Sequence, residues 1–137
     1  MKKLFLLSCL AFAFTFFTTS TIAQESLKPK TQEEIIEVFC HTWRLTAMED
    51  LGMRLPPPYK VDFIRLVLKD DGTCVKTSHG EEISGEWLYK PKGMTLVIKD
   101  KDGTISYMLM KIVEKEFVYK FMIGGSYSNM VMTRVEE

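Results

Sequence analysis

The chain has 137 residues, 46% of them hydrophobic, with 18 basic and 18 acidic side chains. This length allows one domain with a hydrophobic core and is too short for two. Because there is no excess of basic side chains, nucleic acid is not an expected partner.

The first 23 residues have the order of a secretory signal peptide. Lys2 and Lys3 give a positive start, an apolar run of about 14 residues begins at Leu4, and small polar residues lead to Ala23. This run is shorter than the ~20 residues that cross a bilayer as a helix, which argues against a membrane anchor. We therefore predict cleavage after Ala23, export to the periplasm or the medium, and no membrane span in the mature chain.

Cys9 supplies an alternative to this cleavage, because residues 6–9 resemble the lipobox of a lipoprotein. The apolar run before Cys9 is shorter than the ~7 residues of an export signal, so a lipid anchor through Cys9 is the minority interpretation. Removal of residues 1–23 leaves 114 residues, with 16 basic and 18 acidic side chains and a net charge of about −2.

Two cysteines, Cys40 and Cys74, remain in the mature chain. In an exported protein such a pair can be oxidised to a disulfide. The alternative is two separate buried thiols that behave as small apolar residues. Because they fall in different predicted elements, their geometry decides between the two interpretations.

A polar leader and a short helix are predicted at the start of the mature chain. Residues 24–30 are expected to form a flexible leader before a single domain at residues 31–137. Thr31 can cap a helix, and Glu34 follows three residues later. With an apolar side supplied by residues 35–39, this pattern predicts a helix over residues 32–39.

The pattern then changes to alternating strands separated by turn signals. Eight strands are predicted, at about residues 43–47, 61–69, 73–78, 83–89, 94–99, 104–113, 117–123 and 128–135. Short turns join most of them, and closing such a sheet into a barrel removes its exposed edges. The predicted fold is therefore all-β, an eight-stranded antiparallel up-and-down barrel with a short N-terminal helix.

A proline-rich segment at residues 51–60 interrupts the strands and is predicted to be a loop, because three consecutive prolines exclude ladder pairing. Its apolar residues are Leu51, Met53, Leu55 and Tyr59. One interpretation is a lid over the barrel, and the other is a connection packed on the barrel rim.

Four short motifs follow one another along the predicted strands. They are Cys40-His41-Thr42-Trp43-Arg44-Leu45, Asp71-Gly72-Thr73, Gly85-Glu86-Trp87 and Met132-Thr133-Arg134. Their order resembles that of the lipocalin-like domains of exported bacterial proteins, which are calycin-type barrels of mostly unassigned function. The resemblance covers about residues 38–136, although His41 stands where the family motif usually has glycine. It implies that Trp43 plugs the closed end of the barrel, that Arg134 packs over it through a cation–π contact, and that the first loop arches over the open end.

The residue pattern does not indicate catalytic chemistry. His41 and His79 are far apart in sequence and lack partners at usual ligand spacing, and no nucleophile or phosphate-binding motif is present. We therefore expect no enzyme, no metal and no cofactor.

The methionine and aromatic residues of the predicted strands suit a surface that accepts varied apolar partners. We expect binding of a small apolar or amphipathic ligand inside the barrel. The expected wall residues are Leu66, Leu68, Trp87, Leu96, Tyr107 and Met130. The alternative is a solid barrel that acts as a protein-interaction or envelope accessory module. The ligand, the inward parity of the strands and the oligomeric state stay open at this point.

Overall fold

The structure, a computed structural model, describes residues 25–58 and 61–136. The described elements are α1 (Gln32–Phe39), β1 (Thr42–Asp50), β2 (Met53–Leu55), β3 (Arg65–Leu68), β4 (Thr73–Ser78), β5 (Glu81–Lys90), β6 (Thr95–Asp100), β7 (Gly103–Val113), β8 (Glu116–Ile123) and β9 (Ser126–Arg134). The predicted signal peptide, including Cys9, and the predicted loop residue Tyr59 lie outside the described residues.

Eight of these strands close into an antiparallel barrel, which confirms the predicted all-β, eight-stranded closed sheet. From β3 to β9, each strand pairs with its neighbour in sequence. The first strand, β1, pairs with β3 on one side and with β9 on the other, where Trp43 lies opposite Arg134. Buried and more exposed side chains alternate along β3, β4 and β6 and along the second half of β5, as the pleat requires.

The helix α1 begins and ends where the sequence predicts and covers one end of the barrel, called the helix end below. The Thr31 hydroxyl accepts a hydrogen bond from the Glu34 backbone N–H at 3.1 Å, which satisfies one free donor of the first turn. At the last turn, the indole Nε1 of Trp43 donates to the Phe39 carbonyl at 3.0 Å. The Phe39 ring is fully buried and lies 4.7 Å from the ring of Tyr89, so the helix contributes directly to the barrel core.

Two predicted boundaries in the first third of the domain are wrong. β1 continues to Asp50, and Met53–Leu55 pairs back onto it as β2, where the sequence predicts one loop over residues 51–60. The second predicted strand, residues 61–69, is a strand only over Arg65–Leu68. Residues 61–64 instead cross the end of the barrel opposite α1, called the far end below. The burial of Val61 and Phe63 in that segment explains why its apolar pattern resembles a strand.

The barrel is filled by its own side chains. Phe39 enters from the helix end, and Phe63 enters from the far end, where its ring contacts Tyr107 and Tyr119 at 5.5 and 5.8 Å. The largest fully buried side chains are those of Trp43, Tyr119, Phe39, Phe63, Phe117, Leu66, Leu96, Ile98, Ile112, Met130, Met132 and Val131. Aromatic residues thus occupy much of the space that a hollow barrel would offer to a ligand.

Part of the predicted leader lies against β7. The backbone N–H of Leu27 donates to the Ile112 carbonyl at 2.6 Å, and the Ile112 N–H donates to the Ser26 hydroxyl at 3.1 Å. Pro29 is buried. These contacts attach residues 26–29 to the barrel wall.

Candidate functional site

The barrel wall has a lateral gap between β7 and β8. These strands pair only through residues 109–113 of β7 and 116–119 of β8, with a register shift between Leu109 and Lys111. Toward the far end, residues 103–108 pair with β6, and residues 120–123 pair with β9. A bulge bends its strand and increases the local twist, which accounts for the separation of the two strands beyond it.

A cleft of about 520 Å³, called the far-end cleft or the cleft below, lies at this gap. This volume is within the range of small-molecule sites. The cleft is lined by Val61, Asp62, Ile105, Ser106, Tyr107, Lys120, Phe121 and Met122. Ile105 and Met122 are exposed, and Phe121 is half-buried, so the gap combines an apolar rim with the carboxylate of Asp62.

Beside the cleft, a polar cluster lies in the barrel interior. The Lys76 ammonium is 2.6 Å from an oxygen of Asp100, and only 6% and 4% of these two side chains are exposed. Asp62 is 3.8 Å from the same ammonium and is 23% exposed. The Tyr107 hydroxyl donates a hydrogen bond to the other oxygen of Asp62. The cluster therefore connects the cleft with the interior.

The two carboxylates of this cluster have opposite electrostatic environments. Burial raises the pKa of Asp62, and the nearby ammonium of Lys76 offsets only part of this effect. The hydrogen bond from Lys76 lowers the pKa of Asp100. Asp100 is therefore the stable partner of Lys76, and Asp62 is the carboxylate whose charge is less well compensated.

Gly85 lets β5 and β6 approach each other at the cluster. Its Cα lies opposite Asp100 on one side and Cys74 on the other. A Cβ atom at Gly85 would lie 2.4 Å from the Lys99 carbonyl oxygen and 3.2 Å from Asp100 Cβ. Any larger residue there would push away the strand that carries Asp100.

The hydroxyl of Tyr119 is the buried side-chain polar atom that has no hydrogen-bond partner among the described residues. The residue is 1% exposed. Burial raises the pKa of Tyr119, and the negative charge of Asp62 raises it further, so the hydroxyl stays protonated. A buried hydroxyl without a partner is unfavourable by about 1–3 kcal/mol, which makes this atom a candidate contact for a bound molecule.

All six expected wall residues are buried in the core. Tyr107 also lines the far-end cleft, but the other five do not. Trp87 lies elsewhere in the barrel, where its indole Nε1 donates to the Lys69 carbonyl at 2.8 Å. The structure thus brings one of the six residues to the candidate site.

The described residues of the expected lid are exposed. Leu51 is 95% exposed and lies in the turn before β2, whereas Met53 and Leu55 lie in β2 itself. None of these three residues lines the cleft.

The surroundings of Trp43 differ from the cation–π contact with Arg134 that the family resemblance implies. Trp43 is fully buried, but its ring contacts Phe117 at 4.7 Å and His41 at 6.0 Å. Among the described residues, the one cation–π contact joins Lys120 and Tyr127. At the helix end, Trp43 contacts α1 through the hydrogen bond from its indole Nε1 to the Phe39 carbonyl.

Cys40 and Cys74 are both free thiols in the structure. Burial raises the pKa of each, and the carboxylates of Asp70 and Asp71 add to this effect at Cys40. Both thiols are therefore protonated and weakly nucleophilic. Within residues 25–58 and 61–136, no group of three or more His, Cys, Asp or Glu side chains is placed to hold a metal ion.

Comparisons with models of protein families, with curated proteins and with solved structures gave no match for this chain. In the described part of the chain, no helix combines the length and the apolar character needed to cross a membrane.

Sequence reasoning missed the polar cluster. One available signal is that Lys76 follows Cys74 by two residues and therefore shares its side of β4. Asp62 and Asp100 gave no such signal, because each lies at the end of a predicted strand or turn, where solvated charge is the usual interpretation. Only the closure of the barrel brings the three residues together.

Proposed function

We propose that this chain is an exported lipocalin-like barrel that binds a small amphipathic molecule in the far-end cleft and catalyses no reaction. The order of the motifs and the closed eight-stranded barrel support the lipocalin-like assignment. The pattern of residues 1–23 supports export.

One observation carries the proposed binding. At the gap between β7 and β8, apolar side chains adjoin a buried polar cluster that includes the carboxylate of Asp62, and the Tyr119 hydroxyl, whose pKa this carboxylate helps to raise, has no hydrogen-bond partner among the described residues. Binding sites are typically concave and mostly apolar, with a few polar groups that orient the ligand. A depression of about 320 Å³ near α1 is a weaker candidate, because charged side chains such as Lys28, Glu34 and Glu37 line it and are exposed to water.

The filled core determines where the ligand binds. Because Phe39 and Phe63 occupy the two ends of the interior, a ligand deep in the barrel would have to displace an aromatic ring. The cleft requires no such displacement. The ligand therefore lies across the gap, with its apolar part on Ile105, Phe121 and Met122 and its polar part toward Asp62.

A titration with Nile red, a neutral dye whose emission depends on polarity, tests the binding. We expect saturable binding to the wild-type protein and its loss in Ile105→Glu. Leu88→Glu is a matched control, because Leu88 is 49% exposed and Ile105 is 44% exposed, and Leu88 lies outside the cleft. Absence of saturable binding by the folded wild type, or equal loss in both variants, would contradict the proposal.

The intact mass of the protein recovered outside the cytoplasm tests export. We expect a chain that starts at Gln24. A full-length chain recovered only from the cytoplasm would refute export, and a lipid mass on Cys9 would replace cleavage after Ala23 with the lipoprotein route.

A second candidate function is protein interaction by a solid barrel. Two observations favour it: the packed interior, and the strand edges of β7 and β8 that face the gap without pairing to each other. Unpaired edges can accept an extended segment of another chain. If the folded protein does not bind Nile red in a saturable manner, this function becomes the leading one.

A further inference from the structure

The polar cluster has more carboxylates than cations. Lys76 has its closest partner in Asp100 at 2.6 Å, and Asp62 lies farther from it at 3.8 Å. With both carboxylates ionised, the three side chains carry a net charge of −1. The surplus negative charge lies on Asp62, which is also the member of the three that lines the cleft.

The hydroxyls around Asp62 leave an unused acceptor. The Tyr107 hydroxyl donates a hydrogen bond to Asp62. The Tyr119 hydroxyl, whose pKa the charge of Asp62 helps to raise, has no hydrogen-bond partner among the described residues, although its ring contacts those of Phe63 and Tyr107. A ligand group with several N–H donors could satisfy both Asp62 and the Tyr119 oxygen, whereas a carboxylate would be repelled by Asp62.

The basic residue of the cleft, Lys120, has a different neighbour. Its ammonium lies 5.2 Å from the centre of the Tyr127 ring on β9, in a cation–π contact. Lys120 is thus engaged outside the polar cluster, and it would have to leave Tyr127 to bind an anionic head group in the cleft.

We infer, building on the proposed function, that the cleft selects an amphipathic amine, whose ammonium group binds Asp62 while its hydrocarbon part lies on Ile105, Phe121 and Met122. The pairing needs no covalent step and no cofactor. In this arrangement, Asp62 recognises the positive charge of the ligand, and the Tyr119 oxygen accepts a second hydrogen bond from the ammonium group.

Competition against Nile red tests this inference with three twelve-carbon probes that differ only in the head group: dodecylammonium, dodecanol and dodecanoate. Each is used below its micelle concentration. A charge-assisted hydrogen bond predicts that dodecylammonium binds at least about ten-fold more tightly than dodecanol. Dodecanoate is expected to bind most weakly.

Two variants assign the effect to the cluster. Asp62→Asn should reduce dodecylammonium affinity to within about three-fold of that of dodecanol, and Tyr119→Phe should reduce it by a smaller factor. Neither should change dodecanol binding. Asp102→Asn is the matched control, since Asp102 is an exposed aspartate in the turn before β7. Near-ultraviolet circular dichroism verifies that each variant is folded.

The outcomes separate the inference from the function on which it builds. If Nile red binds but dodecanoate binds most tightly, Lys120 binds the charged head group of the ligand. The inference is then wrong, whereas the proposed function stands. If Asp62→Asn and Asp102→Asn behave alike, the inference is also wrong. If neither Nile red nor any probe binds, the proposed function itself fails.

Discussion

The ammonium of Lys76 lies 2.6 Å from the carboxylate of Asp100 inside the barrel, with only 6% and 4% of these side chains exposed. Charged side chains are almost never this deeply buried unless they are paired. The pair stands next to Asp62, which shares the same ammonium at 3.8 Å. The pair and Asp62 thus form a polar centre in the far-end half of the barrel, which also holds the rings of Phe63, Tyr107 and Tyr119.

The first prediction concerns this pair. Asp100→Asn leaves a buried ammonium with one distant carboxylate, and we expect it to lower the free energy of unfolding by about 3 kcal/mol. The loss should shrink in acid, because the stability that comes from the lowered pKa of Asp100 is complete above the ordinary pKa of about 4 and disappears as the pH falls through the lowered pKa. Urea denaturation between about pH 2 and pH 7 measures both effects.

Two further variants control this measurement. Adding Lys76→Met to Asp100→Asn should recover part of the loss, because no buried charge is then left without its partner. Glu81→Gln removes the exposed ion pair with Lys101, which spans 3.2 Å, and should change the stability very little. Equal effects of Asp100→Asn and Glu81→Gln would show that the burial of the pair has no energetic importance.

The second prediction is that the charge of Asp62 destabilises the fold, whereas the charge of Asp100 stabilises it. Burial raises the pKa of Asp62, so ionisation of this group opposes folding as the pH rises from its ordinary pKa of about 4 through the raised value. Asp62→Asn should therefore gain stability relative to the wild type over this range and lose that gain in acid. Denaturation of both proteins across the same pH series checks the sign, and a destabilised variant at neutral pH would contradict it.

The destabilising effect predicted for the charge of Asp62 is relevant to function. A carboxylate that opposes folding, yet lies beside a cleft, fits a residue kept for binding at the expense of stability. Asp100 differs in this respect, because the ammonium of Lys76 matches its charge.

The third prediction concerns Gly85. In Gly85→Ala, the new methyl group would approach the Lys99 carbonyl to 2.4 Å, so β5 and β6 would have to separate beside Asp100. Such overpacking typically costs about 1–3 kcal/mol. Ser84→Ala, at the exposed neighbouring position, is the control and should be close to neutral. A thermal midpoint for Gly85→Ala equal to that of Ser84→Ala would show that the strand spacing adjusts freely.

The sequence predicts the repetitive features of the fold well, since each depends on local patterns. Thr31 and Glu34 mark the start of α1, and the alternation around Trp87 and Leu96 identifies strands whose buried faces the structure retains. Features that depend on distant residues could not be predicted. Phe63 looks like a strand residue because it is apolar, but it crosses the far end to reach Tyr107 and Tyr119.

The candidate site was beyond sequence reasoning for the same reason. Asp62, Lys76 and Asp100 come from three separate segments, and local context places Asp62 and Lys76 in predicted strands and Asp100 in a predicted turn, with no sign that the three meet. The gap between β7 and β8 depends on a bulge near Met110, and a bulge shifts the register without a reliable composition signal. By contrast, alternation along β7 identifies the strand face that Tyr107 shares with Leu109, and the structure shows that this face points inward.

The fourth prediction concerns the separate contributions of Trp43 and Arg134 to the free energy of unfolding. Trp43→Phe loses the hydrogen bond to the Phe39 carbonyl and part of a fully buried ring, so we expect a loss of about 1–3 kcal/mol. Arg134→Ala should have a small effect, because the ring of Trp43 is covered by α1 and contacts Phe117. Urea denaturation of both single variants and of the double variant gives their coupling energy.

This double-mutant cycle distinguishes the two arrangements at the helix end. A guanidinium packed over the indole, as the family resemblance implies, would give a coupling of about 1–2 kcal/mol. The arrangement in which α1 covers Trp43 predicts a coupling below about 0.5 kcal/mol, since the two side chains then act independently. Val38→Ala, a half-buried position on α1, should reproduce part of the Trp43→Phe loss if the helix is the cover. A large Arg134 coupling together with a neutral Val38→Ala would instead mean that Arg134, and not α1, holds the indole in place.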